Sequence, residues 1–566
     1  MADPLDVACA TLARGAAAFA GTSSESRARL ARDTARAVAA AADAWIDAAV
    51  AIKSRHESGT RPATAAAPHL LAEETATGPM GALRLLLITA RALDDVARRG
   101  VPRSALAPHV LPTAGPEGAG FVALGLLPEP GLHDAAIMRG VTAVTRCVNP
   151  GGIEAFMRSW REEAGERPRA GGVAFVLGAG NVTGLAAADC ISQIFEYGRA
   201  VLLKLHPLHA PLQPALREAL RPLVDAGLLE IVSGGVEMAR AGVAAAAVTH
   251  VHLTGGRGAF DALVWGADGP LAGGTPVLDK PITCELGNVT PWIVVPGRYT
   301  PRQLRFQADT VAASIANNTS FNCIATKCLV TCRSWRQREE FLGLVTARLA
   351  GLPARLAWYP GSTAAWEAAT GRIAPGDGTL PWVFRAGVDR NHEPHWLTRE
   401  WFAPIAVEAP LEADGIDAFC GVARNFTRGL PGSLAASITV PESLSAHERQ
   451  RVDQLIDHLA YGVVAVNVWS AFGYALGSVP WGGYPGGTLA DPGSGIGRVH
   501  DPLLLPLVHN SVLRGPLESR LTPPWFPWHS QGPRLARGVL AMYAARAGGG
   551  SGLWELASML PAVLGE

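Results

Sequence analysis

Cysteine is scarce. The 566-residue chain carries eight, and no two stand as Cys-x-x-Cys. That excludes a disulfide-stapled scaffold and a zinc ribbon. Neither sign of charge dominates, with 49 Lys and Arg against 49 Asp and Glu. No basic field therefore points to nucleic acid or to an anionic membrane surface. No apolar run reaches the roughly 18 residues needed to cross a bilayer. The amino terminus carries Asp3 and Asp6 where a secretory signal has a basic segment and a long apolar core. The fifteen histidines form no His-Glu-x-x-His or comparable spacing, so no metal site is expected. These absences leave a soluble, cytoplasmic protein. What is present is globular: 48% of residues are hydrophobic and 17% charged. The length exceeds a single core, which implies about two to four domains.

Hydrophobic spacing orders the chain. Residues 26–54 read as a helix, with Leu30, Val38, Ala41, Trp45, Ala48 and Ile52 on one stripe. Residues 81–98 read as a second helix, after which Pro102, Pro108 and Pro112 break the pattern. The stretch 113–170 is loop-rich, with short strands at 121–127 and 141–148 and a turn at 149–152. From 171 the rhythm becomes strand, helix, strand. Strands are expected at 173–177, 200–205, 229–233 and 250–253, separated by helices at 185–197, 211–226 and 237–247. Such alternation predicts a parallel sheet with helical crossovers, whose ligands lie at the carboxyl ends of the strands. A second α/β unit follows from about 285, with strands at 290–295, 329–331, 435–439 and 463–468. A Gly- and Pro-rich stretch at 476–497 precedes a tail holding the cluster Pro523-Pro524-Trp525-Phe526-Pro527-Trp528 and a helix at 534–546.

Four features carry chemistry. Cys323 lies between a helix and a strand, after small and polar residues, where backbone amides or a cation can favour its thiolate. A lone cysteine is equally a small buried hydrophobe. Gly178, Gly180 and Gly184 follow a strand and open a helix, one residue longer than a dinucleotide phosphate loop; a tight turn explains them as well. Lys204 ends a strand, where it meets a ribose or phosphate or merely solvent, and Thr254-Gly255-Gly256 ends another. Glu285 and Glu400 are single carboxylates, a type usually found at the surface.

In order along the chain these pieces resemble the aldehyde dehydrogenase superfamily. Asn181 looks like the family's Asn after the first strand, and Lys204 like its ribose-binding Lys. Leu253-Thr254-Gly255-Gly256 is similar to Phe-Thr-Gly-Ser, and Glu285-Leu286-Gly287-Asn288 to Glu-Leu-Gly-Gly. Asn318 and Cys323 keep the spacing of Asn-x-Gly-Gln-x-Cys, and Glu400-x-Phe402-x-Pro404 resembles Glu-x-Phe-Gly-Pro. Pro480-Trp481-Gly482-Gly483 and Gly495-Ile496-Gly497-Arg498 resemble the closing segments. The resemblance spans roughly 170 to 500 and implies a Rossmann-like parallel-sheet cofactor domain, a second α/β catalytic domain and a small oligomerisation element. It divides the chain into 1–284 (with the oligomerisation segment near 130–165), 285–483 and 484–566. It implies catalysis by Cys323, Glu285 and Asn181. It implies that NAD or NADP is held by Lys204, Thr254, Gly255, Gly256, Glu400 and Phe402, in a homodimer or homotetramer acting on a small-molecule aldehyde. It also turns the glycine turn at 178–184 from a phosphate loop into the support of Asn181.

Departures from the pattern leave alternatives open. Ser320-Phe321 replaces Gly-Gln, so Phe321 either walls a substrate tunnel or only packs. Leu205-His206-Pro207 follows Lys204 where many NAD-preferring relatives have an acid, which leaves NADP open. The segments Lys204-x-His206-Pro207 and Cys323-Ile324-Ala325-x-Lys327 also resemble the coenzyme-A-acylating branch, but a Glu like Glu285 is typically absent there. Glu285 therefore favours hydrolysis, with transfer to coenzyme A as the alternative and a non-catalytic nucleotide-binding relative as a second. The 523–528 cluster either caps the substrate entrance or builds an oligomer contact.

Overall fold

Val173–Leu177 is a run of apolar residues with no polar alternation, and such a strand must be covered on both faces. In the computed structural model, which describes residues 3–60, 68–114, 120–149, 151–266 and 274–564, it lies inside a six-stranded sheet. The order is Gly495–Ile496, Ile282–Glu285, Val248–Thr254, Val173–Leu177, Ala200–Lys204 and Leu229–Val232. All neighbours are parallel except Gly495–Ile496, which returns antiparallel from far along the chain. Leu177 pairs with both Lys204 and Leu253, and Thr254 pairs with Glu285. That register brings Lys204, Thr254 and Glu285 to the same carboxyl edge.

The second sheet has ten strands. Seven are parallel: Val508–Arg514, Val463–Val466, Ala435–Thr439, Pro291–Val294, Cys328–Cys332, Ile405–Leu411 and Val383–Arg385. An antiparallel meander of Thr142–Asn149, Gly120–Gly125 and Leu106–Ala114 extends it beyond Val508–Arg514. Cys328 and Cys332 are buried in a central strand, as packing residues. Among the described residues no helix is long and apolar enough to cross a membrane.

Several elements differ from the expectation. The amino-terminal Ala-rich stretch is a full helix, Pro4–Ala20, capped by the Asp3 side chain. The second helix is Ser24–Lys53, and its buried face runs through Ala42 and Ala49 rather than Ala41 and Ala48. The prolines at 108 and 112 fall inside a strand, Leu106–Ala114, which tolerates them because it is the outer strand of the sheet. The loop-rich stretch contains the helix Gly152–Glu166, which buries Phe156, Trp160 and Ala164 at helical spacing. The single helix expected at 211–226 is instead Pro207–Leu212, Gln213–Ala219 and Arg221–Asp225. Pro211, Pro214 and Pro222 each remove a helix donor there. Pro150, in the expected turn at 149–152, lies outside the described residues.

Trp292 marks the middle of the ten-stranded sheet. It is fully buried and donates from Nε1 to Thr439 Oγ1 at 2.9 Å. Trp292→Ala is expected to lose about 3–5 kcal/mol in equilibrium urea unfolding. Trp554→Ala, at a position 81% exposed, is expected to leave the midpoint unchanged.

Candidate active site

The helix Pro301–Ala316 starts with a capping box, Thr300 with Gln303, and Pro301 at its first position. It ends in an uncommon turn. Asn318, Thr319 and Ser320 hold φ of 52°, 59° and 63°, three successive left-handed residues without a glycine. Each costs roughly 1–2 kcal/mol, so neighbouring groups must hold the turn in place. Asn318 Nδ2 donates to Asn181 O at 2.9 Å and to Phe321 O at 2.8 Å. Lys53 Nζ donates to Asn318 Oδ1 at 2.7 Å and is itself paired with Glu74 at 2.6 Å. Lys327 Nζ donates to Ser320 O at 2.6 Å and to its Oγ at 2.7 Å. The chain then passes Asn322, whose Oδ1 accepts from Ile324 N–H at 3.1 Å, and presents Cys323.

The Cys323 thiol donates to Glu285 Oε1 at 3.3 Å. The other oxygen, Oε2, accepts from Trp481 Nε1 at 2.6 Å. Burial pushes the Glu285 carboxyl up to about 7, opposed by the hydrogen bonds from Trp481 and Cys323. Burial, with the Glu285 and Glu400 carboxylates nearby, also pushes the Cys323 thiol well up. Its own backbone N–H acts the other way. A neutral thiol therefore rests against a carboxylate poised near neutrality, the arrangement a base-assisted nucleophile needs. Asn181 lines the same cavity, of about 1050 Å³, with Cys323 and Glu285. One hydrogen of its Nδ2 goes to Phe321 O at 3.2 Å, which leaves the second to give.

The other expected residues take distinct places. Lys204 is buried, and Nζ reaches Leu205 O at 3.3 Å. The Thr254 hydroxyl turns inward to Asp189 Oδ2 at 3.0 Å, and Gly255 N–H is taken by Glu285 O at 3.0 Å. Gly256 opens the helix Arg257–Val264 with free space beside it. Glu400 lies against Gly287, where an added Cβ would stand 2.2 Å from its Oε2. Burial raises the Glu400 carboxyl and lowers the Lys327 ammonium, and the two charges attract. Phe402 stacks on Phe321 at 6.2 Å and meets Tyr359 at 4.9 Å. Phe321 is fully buried among Trp358, Tyr359 and Phe402 and stays out of the cavity lining, so it packs and does not wall a tunnel. Trp525 of the tail does line the cavity, stacked on Trp469 at 5.1 Å. The 178–184 glycines serve close packing: a Cβ at Gly180 would meet His206 Nδ1 at 2.4 Å.

Sequence reasoning missed the supports. Lys53 sits in an Ala-rich helix with nothing local to mark it. Trp481 was visible in a motif but not as a partner of Glu285. Asp189 carried a signal, as the one acid in the apolar helix Leu185–Phe195. It is wholly buried, with His252 Nε2 at 3.5 Å, and His252 Nδ1 meets Thr283 Oγ1 at 2.8 Å. Among the described residues no three His, Cys, Asp or Glu side chains converge as a metal site.

Lys53→Met removes the cation from a buried pair and leaves Glu74 uncompensated. A loss of about 3–5 kcal/mol is expected in urea unfolding. The double variant Lys53→Met/Glu74→Leu is expected to recover much of it, which a double-mutant cycle measures.

No family model matches the chain, and no curated protein does. Solved structures are similar over nearly its whole length. One is an indole-3-acetaldehyde dehydrogenase complexed with NAD+, 17% identical, covering 89% of this chain and 88% of that one at a TM-score of 0.54. Another is a variant aldehyde dehydrogenase from Pseudomonas syringae complexed with NAD+ and octanal, 14% identical, covering 91% and 89% at 0.57. A third is a putative aldehyde dehydrogenase from Burkholderia cenocepacia, 16% identical, covering 89% and 90% at 0.55. By topology and extent, the chain has the fold of the aldehyde dehydrogenases.

Proposed function

We propose that the protein oxidises an aldehyde to a carboxylic acid with NAD or NADP, using Cys323 as nucleophile and Glu285 as base. The observation that carries this reading is the 3.3 Å contact from the Cys323 thiol to Glu285 Oε1 at a cavity wall. The fold, shared with enzymes solved with NAD+, supports it. Glu285 takes the thiol proton and Sγ bonds the aldehyde carbon. The resulting oxyanion is held by the free hydrogen of Asn181 Nδ2 and by the Cys323 backbone N–H. Such a donor is commonly worth about 3–4 kcal/mol. The carbonyl re-forms as the carbon gives up its hydride, and a thioester remains on Cys323. Glu285 releases the thiol proton to solvent and then deprotonates a water that attacks the thioester; the C–S bond breaks, the proton now on Glu285 returns to Sγ and the acid leaves.

Bound NAD or NADP supplies the hydride acceptor. The residues fit such a group. Among the described residues Glu400 Oε1 is buried without a hydrogen-bond partner, which suits the hydroxyls of a ribose. Lys204 has ammonium hydrogens left over beyond Leu205 O. In this reading the region of the six-stranded sheet holds the cofactor and that of the ten-stranded sheet carries the nucleophile.

The test is reduction of NAD and of NADP by a panel of aldehydes, each with and without coenzyme A, beside Cys323→Ala. Turnover without coenzyme A that vanishes in the variant is expected. Turnover only with coenzyme A would overturn hydrolysis in favour of acyl transfer.

The carboxyl of Glu285 acts only when deprotonated, and its affinity for a proton is raised to about 7. The rate is therefore expected to climb with pH and to level off above about 7. Glu285→Gln is expected to lose that limb and to lower kcat by about 10²–10⁴. Asn181→Ala is expected to lower kcat by about 10²–10³. Stopped-flow and steady-state pH profiles check both.

A further inference from the structure

From the cavity lining we infer that the carboxyl-terminal tail makes this a site for long, unbranched, apolar aldehydes. The inference rests on the aldehyde-oxidising reading of Cys323 and specifies its substrate. The cavity that Cys323 and Glu285 share runs on past Trp469, Phe472 and Trp525 to the tail. There its wall is Leu535 and Val539 of the helix Gly532–Ala547, then Leu556, Met559, Leu560 and Val563 of the last two turns. At about 1050 Å³ it reaches the upper end of the roughly 300–1,000 Å³ usual for small-molecule sites.

The lining separates by exposure and polarity. Asn181, Glu285 and Cys323 form the chemical end. Exposed Arg139 and Arg520, and the half-exposed leucines Leu521, Leu553 and Leu560, are the solvent-facing part of the lining. Apolar and aromatic side chains dominate between them. A substrate that fills this span gains from buried methylenes, and two charged groups of the lining are already paired, Arg84 with Asp134 and Glu73 with Arg355.

The tail is anchored as part of this wall. Arg84 forks onto Asp134 at 2.7 and 2.8 Å, donates to the Tyr543 hydroxyl at 2.6 Å and to Leu476 O at 2.7 Å. Tyr543 belongs to the tail helix and Leu476 follows the short helix Phe472–Ala475, so one buried guanidinium fixes the tail over the cavity.

The experiment measures kcat/KM for unbranched aldehydes from butanal to hexadecanal. The same series is run on Val539→Trp, which fills the span, and on Leu556→Arg, which places a charge in it and sits at a half-buried position that tolerates change. Independently of turnover, dodecan-1-ol is tested for slowing alkylation of Cys323 by iodoacetamide, read on the Cys323 peptide. A rise of about two- to fourfold per methylene is expected over the first part of the series. Either variant is expected to cut the hexadecanal-to-butanal ratio tenfold or more, and dodecan-1-ol to protect Cys323. Turnover of butanal with a flat series and unmoved variants would overturn the inference and leave the proposed function standing. No turnover with any aldehyde, with Cys323 still protected by dodecan-1-ol and less so in the variants, would overturn aldehyde oxidation and keep an acyl-chain site. Neither turnover nor protection would overturn both.

Discussion

The hydrogen bond from the Cys323 thiol to the Glu285 carboxyl joins the two halves of the molecule. Glu285 ends a strand of the six-stranded sheet, and Cys323 precedes a central strand of the ten-stranded one. The contact exists only because the carboxyl edge of one sheet meets the Cys323 turn of the other. Trp481 closes it from a third direction, by taking the second carboxyl oxygen. A buried carboxylate with both oxygens engaged is tolerated where an isolated one is not. The same burial lifts its proton affinity to about 7, where it can both take and return a proton.

The turn before Cys323 shows how strain is held in place. Three left-handed residues precede Cys323, and each is of a type that glycine would replace with less strain. Asn318 is fixed by Lys53 from the amino-terminal helices, and Ser320 by Lys327. Strain of this kind persists when surrounding groups over-determine it. Lys327 also attracts the Glu400 carboxylate, so one buried ammonium both fixes the turn and faces that carboxylate. The tail is held by a comparable device, the fork of Arg84 on Asp134 with Tyr543.

Much of the fold was legible from spacing. The alternation after 171 and the apolar run Val173–Leu177 gave the parallel sheet. The helix Gly152–Glu166 carries its amphipathic pattern in Phe156, Met157 and Trp160, but the Pro-Gly-Gly run at its start masks where a helix begins. The strand Leu106–Ala114 could not be read, because prolines exclude a strand from every place except an edge, and edge position is a property of the assembled sheet. The broken helix at 211–226 was legible in its prolines.

The motif order singled out Cys323 and Glu285 only through its resemblance to a family; what the sequence determined by itself was local, the strand-and-helix alternation and the strand ends at Lys204 and Thr254. These follow from residue type and from periods of two and 3.6, which need no partner. What only the tertiary structure decided was who faces whom. Lys53 and Asn318 are 265 residues apart, Glu285 and Trp481 are 196, and Arg84 and Tyr543 are 459. No local pattern encodes such contacts, because each arises when separate elements bury their apolar faces and leave a polar group to find its partner inside.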